Sequence, residues 1–215
     1  MLIGMFFIAI MCVPKMVFSH IPKPEYTIVI DAGHGGRDYG CQGVNGVKES
    51  EINLKIAKSL QTYMKTLDIN VVMTRVDANG LYSADAENFK VSDMTARMKI
   101  IEKASPNMVI SIHQNSYADH TLQGAQVFYQ DGCEESVEFA DAVQSQLCSI
   151  LGSTRQISHG DYYLLKESKV PSIIVECGYL TNASEEAKLN TTEYQNKVAY
   201  AILCGLIKCF GLCGN

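Results

Sequence analysis

Residues 26–36 read Tyr-Thr-Ile-Val-Ile-Asp-Ala-Gly-His-Gly-Gly. A short β-branched run over residues 26–30 ends in Asp31 and passes into the glycine-rich stretch Ala32-Gly33-His34-Gly35-Gly36. Apolar residues without polar alternation, bounded by glycines, mark a buried strand running into a tight loop. The loop carries an imidazole, His34, at the point where the strand stops.

Outward from this strand, the chain alternates between two periodicities. Residues 51–65 place Ile52, Ile56, Leu60 and Tyr63 at helical spacing behind Ser50, a candidate N-cap. Residues 70–74 (Asn-Val-Val-Met-Thr) form a second strand. Residues 76–92 are polar and contain glycine, so they read as a long loop, a length often tied to function. A helix over 93–104 stops before Pro106. Strands follow at 108–113 and 124–129, then a helix over 134–151 with Val137, Ala140, Val143 and Leu147 on one face. Residues 162–165 suggest a short edge strand, residues 172–177 (Ser-Ile-Ile-Val-Glu-Cys) a buried one, and residues 192–210 a long closing helix. Strands alternating with amphipathic helices predict an α/β layered fold with a largely parallel sheet.

Composition limits the alternatives. The 215 residues, 47% hydrophobic and 19% charged, suffice for one well-buried domain, set at residues 25–215, and argue against disorder. A net charge of -5 with no basic stripe excludes nucleic acid as a first partner. Residues 1–14 carry no charged side chain, about the length of a signal-peptide core and short of the roughly 20 apolar residues that span a membrane. No Lys or Arg precedes this run, and Val17-Phe18-Ser19 is only a passable cleavage site. Residues 1–24 are therefore read as an export signal or an uncleaved membrane anchor, followed by a linker punctuated by Pro22 and Pro24; a buried N-terminal helix is the plainer alternative. The expected location is outside the cytoplasm, with membrane contact only through this segment. The eight cysteines form no Cys-x-x-Cys pair, which excludes a zinc ribbon or a thioredoxin-like motif. Loss of the leader removes Cys12 and leaves an odd number, so at least one thiol stays free.

Several strands end in residues capable of chemistry. The first runs into His34, the third ends in Ser111-Ile112-His113, and the strand over 172–177 carries Glu176. Ligands of open parallel sheets bind beyond the carboxyl ends of the strands, so these residues should meet on one rim, with Glu49 in reach from the start of its helix. Two imidazoles and a carboxylate are a usual set for a catalytic zinc, and a further carboxylate can handle protons. Each residue also has a plainer reading: His34 as a turn residue, His113 as a satisfied core histidine. Glu49 has Glu51 as a rival, and position alone does not separate them. Glu176 is harder to explain structurally, because a carboxylate in an Ile-Ile-Val strand is costly unless it is paired. His20, His120 and His159 fall in linker or polar loops. The glycine loop lacks the Lys-Ser/Thr of a P-loop, and no Gly-x-Ser-x-Gly elbow supports a serine hydrolase.

Taken together, the motifs Asp-Ala-Gly-His-Gly-Gly (31–36), Val-Lys-Glu-Ser-Glu-Ile-Asn-Leu-Lys-Ile-Ala (47–57), Thr74-Arg75, Arg97, Ser-Ile-His-Gln-Asn-Ser (111–116), Gly-Ala-Gln-Val-Phe-Tyr (124–129) and Val-Glu-Cys-Gly-Tyr-Leu-Thr-Asn (175–182) resemble the zinc-dependent N-acetylmuramoyl-L-alanine amidases of the Amidase_3 type. The resemblance spans residues 26–211. It implies one zinc ion held by His34, Glu49 and His113, selects Glu49 over Glu51, and assigns the catalytic glutamate to Glu176. It also implies a single domain with a twisted, mixed but mainly parallel sheet and helices on both faces. The substrate implied is peptidoglycan, cut at the amide between N-acetylmuramic acid and L-alanine. Arg75 and Arg97 are expected to support the fold, Asp31 to orient a ligand or brace the strand end, and Asn115 to line the rim. Gly80-Leu81-Tyr82, the 76–92 loop, His113-Gln114-Asn115 and the Gly-Ala-Gln-Val-Phe-Tyr stretch (124–129) are similar to the sporulation branch, which trims spore-cortex peptidoglycan so that muramic-δ-lactam can form. The location implied is the cell wall or the spore intermembrane space. No inhibitory helix stands out between His113 and Glu176, so regulation, including by a protein partner, would work differently from relatives that carry one. The competing readings are a zinc carboxypeptidase, against which Arg37 at position 37 counts, and a silent or partner-activated wall-binding protein.

Overall fold

The computed structural model describes residues 26–67 and 69–211. Its elements run β1 (Thr27–Ala32), α1 (Glu49–Lys65), β2 (Asn70–Met73), α2 (Phe89–Ala104), β3 (Met108–Asn115), β4 (Gln126–Tyr129), α3 (Glu134–Leu151), β5 (Ser158–His159), α4 (Tyr163–Glu167), β6 (Ser172–Tyr179), α5 (Ala183–Leu189) and α6 (Thr192–Cys209). The strands form one six-stranded sheet in the order β2-β1-β3-β6-β4-β5. β2, β1, β3 and β6 are mutually parallel, β4 runs antiparallel to β6, and β5 pairs parallel to β4. The expected mixed, mainly parallel sheet is present.

Alternation along the central strands divides the core in two. Ile28 and Ile30 of β1, Ile110 and Ile112 of β3, and Ile173 and Val175 of β6 face one side, where they pack with α1, α3 and α6. Their neighbours Val29, Val109 and Ile174 face the other, against Ile101 of α2 and Leu164 and Leu165 of α4. Successive side chains point to opposite faces of a strand, so an uninterrupted Ile/Val run requires helices on both faces. On the larger side α3 and α6 cross closely: a β-carbon at Gly205 would lie 2.6 Å from Cα of Val143.

Some local expectations shift. α2 starts at Phe89, four residues before the expected 93, because the Asn88 side chain caps the helix by accepting from the Val91 N–H at 3.2 Å. Residues 162–165 are not an edge strand. Tyr163 onward turns into α4, and the edge is supplied by β5 instead. α5 has no counterpart in the sequence pattern; Asn182 caps it, accepting from the N–H groups of Ser184 and Glu185. β1, β3 and β6 each extend about two residues beyond their expected ends, carrying the strands to the rim. Among the described residues no helix is long and apolar enough to cross a membrane, and the six described cysteines are all free thiols. The leader over residues 1–24, with Cys12, lies outside the described residues.

Candidate metal centre

The rim at the carboxyl ends of β1, β3 and β6 is built by loops that glycine makes possible. Gly33 hydrogen-bonds across to the Ile112 carbonyl, and a β-carbon there would strike the His113 ring. Gly40, at φ 74°, leaves room for the Glu49 carboxylate and the His34 ring. His34 itself adopts a left-handed backbone, φ 61°, which costs a residue with a β-carbon about 1 kcal/mol or more. That conformation is held from below, where Arg97 donates to the His34 carbonyl at 2.6 Å.

His34, Glu49 and His113 come together. One ligand atom from each lies within 4.8 Å of the others. Glu49 Oε1 is the meeting point, 3.3 Å from His34 Nε2 and 3.0 Å from His113 Nδ1. Glu49 is the first residue of α1 and is buried, whereas its rival Glu51 is exposed. The carboxylate is fixed on both oxygens: Oε2 accepts from the Cys41 N–H at 2.8 Å, and Oε1 accepts from the Gln114 N–H and the Asn53 amide. His34 is steered from behind by Asp38, 2.9 Å from Nδ1, which leaves Nε2 pointing at the cluster.

Glu176 sits beside His113 in the sheet, its register partner on β6. It is 6% exposed, and among the described residues only Oε1 has a partner, the Tyr162 hydroxyl at 3.3 Å, while Oε2 is buried without one. A cleft of about 230 Å³ opens next to the cluster and is lined in part by His34, Asp38, Lys90, His113, Tyr162 and Tyr163.

The charges at these groups diverge. Burial pushes the Glu176 carboxyl up to about 7 against the opposing pull of His113. Burial would raise Glu49 too, but two imidazoles in hydrogen-bond contact hold it far below the usual carboxylate range. Burial opposes protonation of His34, yet hydrogen bonds to Asp38 and Glu49 raise it to about 9. The two carboxylates are therefore pushed in opposite directions, Glu49 towards its charged form and Glu176 towards its protonated one.

The remaining expected residues also fall into place. Arg97 and Arg75 are buried braces: Arg97 spans Asp31, Asp93 and two carbonyls, and Arg75 donates to the carbonyls of Ala32, Gly33 and Ser50. Asp31 accepts from Arg97, Thr74 and Ser111, which makes it a strand-end brace. Asn115 ends β3 at the rim, half-buried. His120 and His159 are exposed and take no part. The sequence reading passed over Asp38, Asn53, Gln114 and Tyr162. The i,i+4 spacing of His34 with Asp38 and of Glu49 with Asn53 was a usable signal for two of them; nothing in the sequence marked Tyr162.

Fold and site together define an α/β domain whose rim, built by two strand ends and the start of α1, carries a His–Glu–His cluster able to hold a metal ion. The chain belongs to the N-acetylmuramoyl-L-alanine amidase family (Amidase_3), whose model matches residues 28–208. It is 34% identical over 191 residues to the protein YqiI of Bacillus subtilis, covering 86% of this chain and 85% of that one. It is 31% identical over 196 residues to the germination-specific N-acetylmuramoyl-L-alanine amidase of the same organism, covering 88% and 82%. The CwlD amidase of Clostridioides difficile, solved in complex with the GerS lipoprotein, superposes with a TM-score of 0.81 at 31% identity, covering 87% of this chain and all of that one. The protein is thus a peptidoglycan amidase.

Proposed function

We propose that this amidase is zinc-dependent, with His34, Glu49 and His113 as ligands and Glu176 as the proton-transferring carboxylate, and that it acts in spore-cortex maturation. The convergence of the three donor atoms within 4.8 Å, beside a carboxylate that keeps one buried oxygen free, carries this reading. The donors fit the ion. Two nitrogens and one ionised oxygen suit zinc and count against calcium, which takes oxygen ligands throughout. Three protein ligands also leave a position open, as hydrolytic zinc sites require.

The bond to be cut is the amide between the lactyl group of N-acetylmuramic acid and L-alanine. Bound zinc supplies Lewis acidity, which polarises the carbonyl and brings the pKa of water towards neutrality. Glu176 does the proton work: Oε2 takes a proton from the attacking water and returns it to the alanine nitrogen, which leaves poorly otherwise. Burial raises the Glu176 carboxyl above the ordinary carboxylate range, which favours its uptake of that proton. Asp38 holds the His34 ring, and the amides around Glu49 hold its carboxylate, so the chain meets its substrate with the donors in place.

The germination-specific relative and the CwlD structure support the cortex role and, with it, muramic-δ-lactam formation. The apolar leader supports export to the cell wall or the spore intermembrane space, secreted or tethered. The complex of CwlD with the GerS lipoprotein supports a regulatory protein partner for this enzyme. Mass spectrometry of spore peptidoglycan digested by the purified protein, with zinc and with a chelator, tests the proposal. Free stem peptides beginning at L-alanine, present only with zinc, are expected. Shortened stems still joined to muramic acid would move the activity to a carboxypeptidase, and no product from zinc-loaded protein would leave a silent binder or an enzyme awaiting its partner.

A further inference from the structure

The loop between β5 and α4 places one aromatic ring with unusual care. Tyr162, in extended backbone just before α4, packs its ring at 5.2 Å from that of Phe128 on β4. Gly160 lies against the same pair of rings, where any β-carbon would collide with Tyr162 and come within 3.1 Å of Phe128. Phe128 is the register partner of Ile174, two residues before Glu176 on β6. The ring is therefore clamped to the strands that carry the carboxylate, and its hydroxyl reaches Glu176 Oε1 at 3.3 Å. It also lines the cleft shared by His34 and His113.

A carboxylate has two equivalent oxygens that exchange by rotation of its terminal bond. A single tether removes that equivalence. Glu176 has one oxygen bound and the other buried and bare. We propose that Tyr162 is a positioning residue for Glu176: its hydroxyl holds Oε1, so that Oε2 is the oxygen presented to the reacting water. The inference rests on the proton-transfer role proposed for Glu176. A phenol suits the task because it donates to Oε1 whether Oε2 is bare or protonated, so the tether survives both halves of the proton cycle. Burial and the neighbouring Glu176 charge push the ionisation of Tyr162 up, which keeps the hydroxyl proton in place.

Tyr162→Phe removes the hydroxyl and keeps the packed ring. Acting on peptidoglycan fragments, the zinc-loaded full chain should lose about tenfold to a hundredfold in kcat, the range for a hydrogen bond to a charged group, with KM and zinc content unchanged. In a Glu176→Gln background the same substitution should cost nothing more, because both act through one carboxylate. Gly160→Ala, which leaves the hydroxyl but displaces the ring, should reproduce the kcat loss. Crystal structures should show the Glu176 carboxylate in one orientation in the parent protein and in several in Tyr162→Phe. A phenylalanine variant with parental kcat, or a loss that multiplies with that of Glu176→Gln, would overturn the inference. Failure of the parent protein to release stem peptides would instead refute the functional reading, and the orientation of Glu176 in the two crystal structures would still decide the role of Tyr162.

Discussion

Arg97 of α2 and Asp31 at the end of β1 form a buried ion pair at 2.6 Å, each side chain 2% exposed. The same guanidinium holds Asp93 and the carbonyls of Ala32 and His34. It therefore couples the helix on one face of the sheet to the loop that carries a candidate metal ligand. Burial works against ionised Asp31, but Arg97, Ser111 and Thr74 outweigh it and hold its pKa well below the usual carboxylate range.

The sign of the resulting pH dependence is fixed. A carboxylate depressed in the folded state contributes full stability above its unfolded value of about 3.9 and loses it as the pH falls through the folded value. Asp31→Asn should cost about 3 kcal/mol at pH 7, by leaving Arg97 without its partner. Urea unfolding across pH 2 to 7 should show the gap between variant and parent narrowing below about pH 4.

Glu176 has the opposite sign. Its folded value of about 7 lies above the ordinary one, so its contribution is present in acid and fades as the pH rises from about 4.5 to 7. Glu176→Gln should unfold with a flatter pH dependence in that window. The same variant should retain its metal, measured by elemental analysis, while losing a factor of about 10² to 10⁴ in turnover.

Loss of a ligand should separate cleanly from that. Glu49→Gln removes the charge at the centre of the cluster and should abolish both stoichiometric zinc and hydrolysis. Chelator treatment of the parent protein should give the same inactive state, reversed on adding zinc. Retention of a full zinc equivalent by Glu49→Gln would refute the ligand set.

Glu186 offers a control away from the chemistry. Buried on α5, it accepts from the Asn45 N–H and side-chain amide and from the Val47 N–H, pinning the turn that leads into Glu49. Glu186→Ala should cost about 2 kcal/mol and speed hydrogen exchange over residues 42–48. Chelator competition should show weaker zinc retention, although no ligand is touched.

The legible part of the molecule was the part where one residue's chemistry sufficed. Uninterrupted Ile/Val runs named the central strands, and polar residues at their ends named His34, His113 and Glu176. The rest depended on relations. Asn88 and Asn182 cap helices that weak apolar patterns had not announced, which is why α2 was read late and α5 was missed. Tyr162 reads as an edge-strand residue because its aromatic and leucine neighbours fit either state, and only tertiary packing turns the following residues into α4. The choice of Glu49 over Glu51 needed either the family's motif or the fold, since both open the same helix.

The Glu49 carboxylate is gripped by amides of Cys41, Gln114 and Asn53. The scaffold's own hydrogen bonds thus orient this donor, and the zinc proposed to sit against it would be a replaceable part. Cobalt should enter by simple exchange, without a refolding step. Its visible absorption would then report the coordination number directly as substrate arrives, giving this colourless enzyme an optical readout at its own reaction centre.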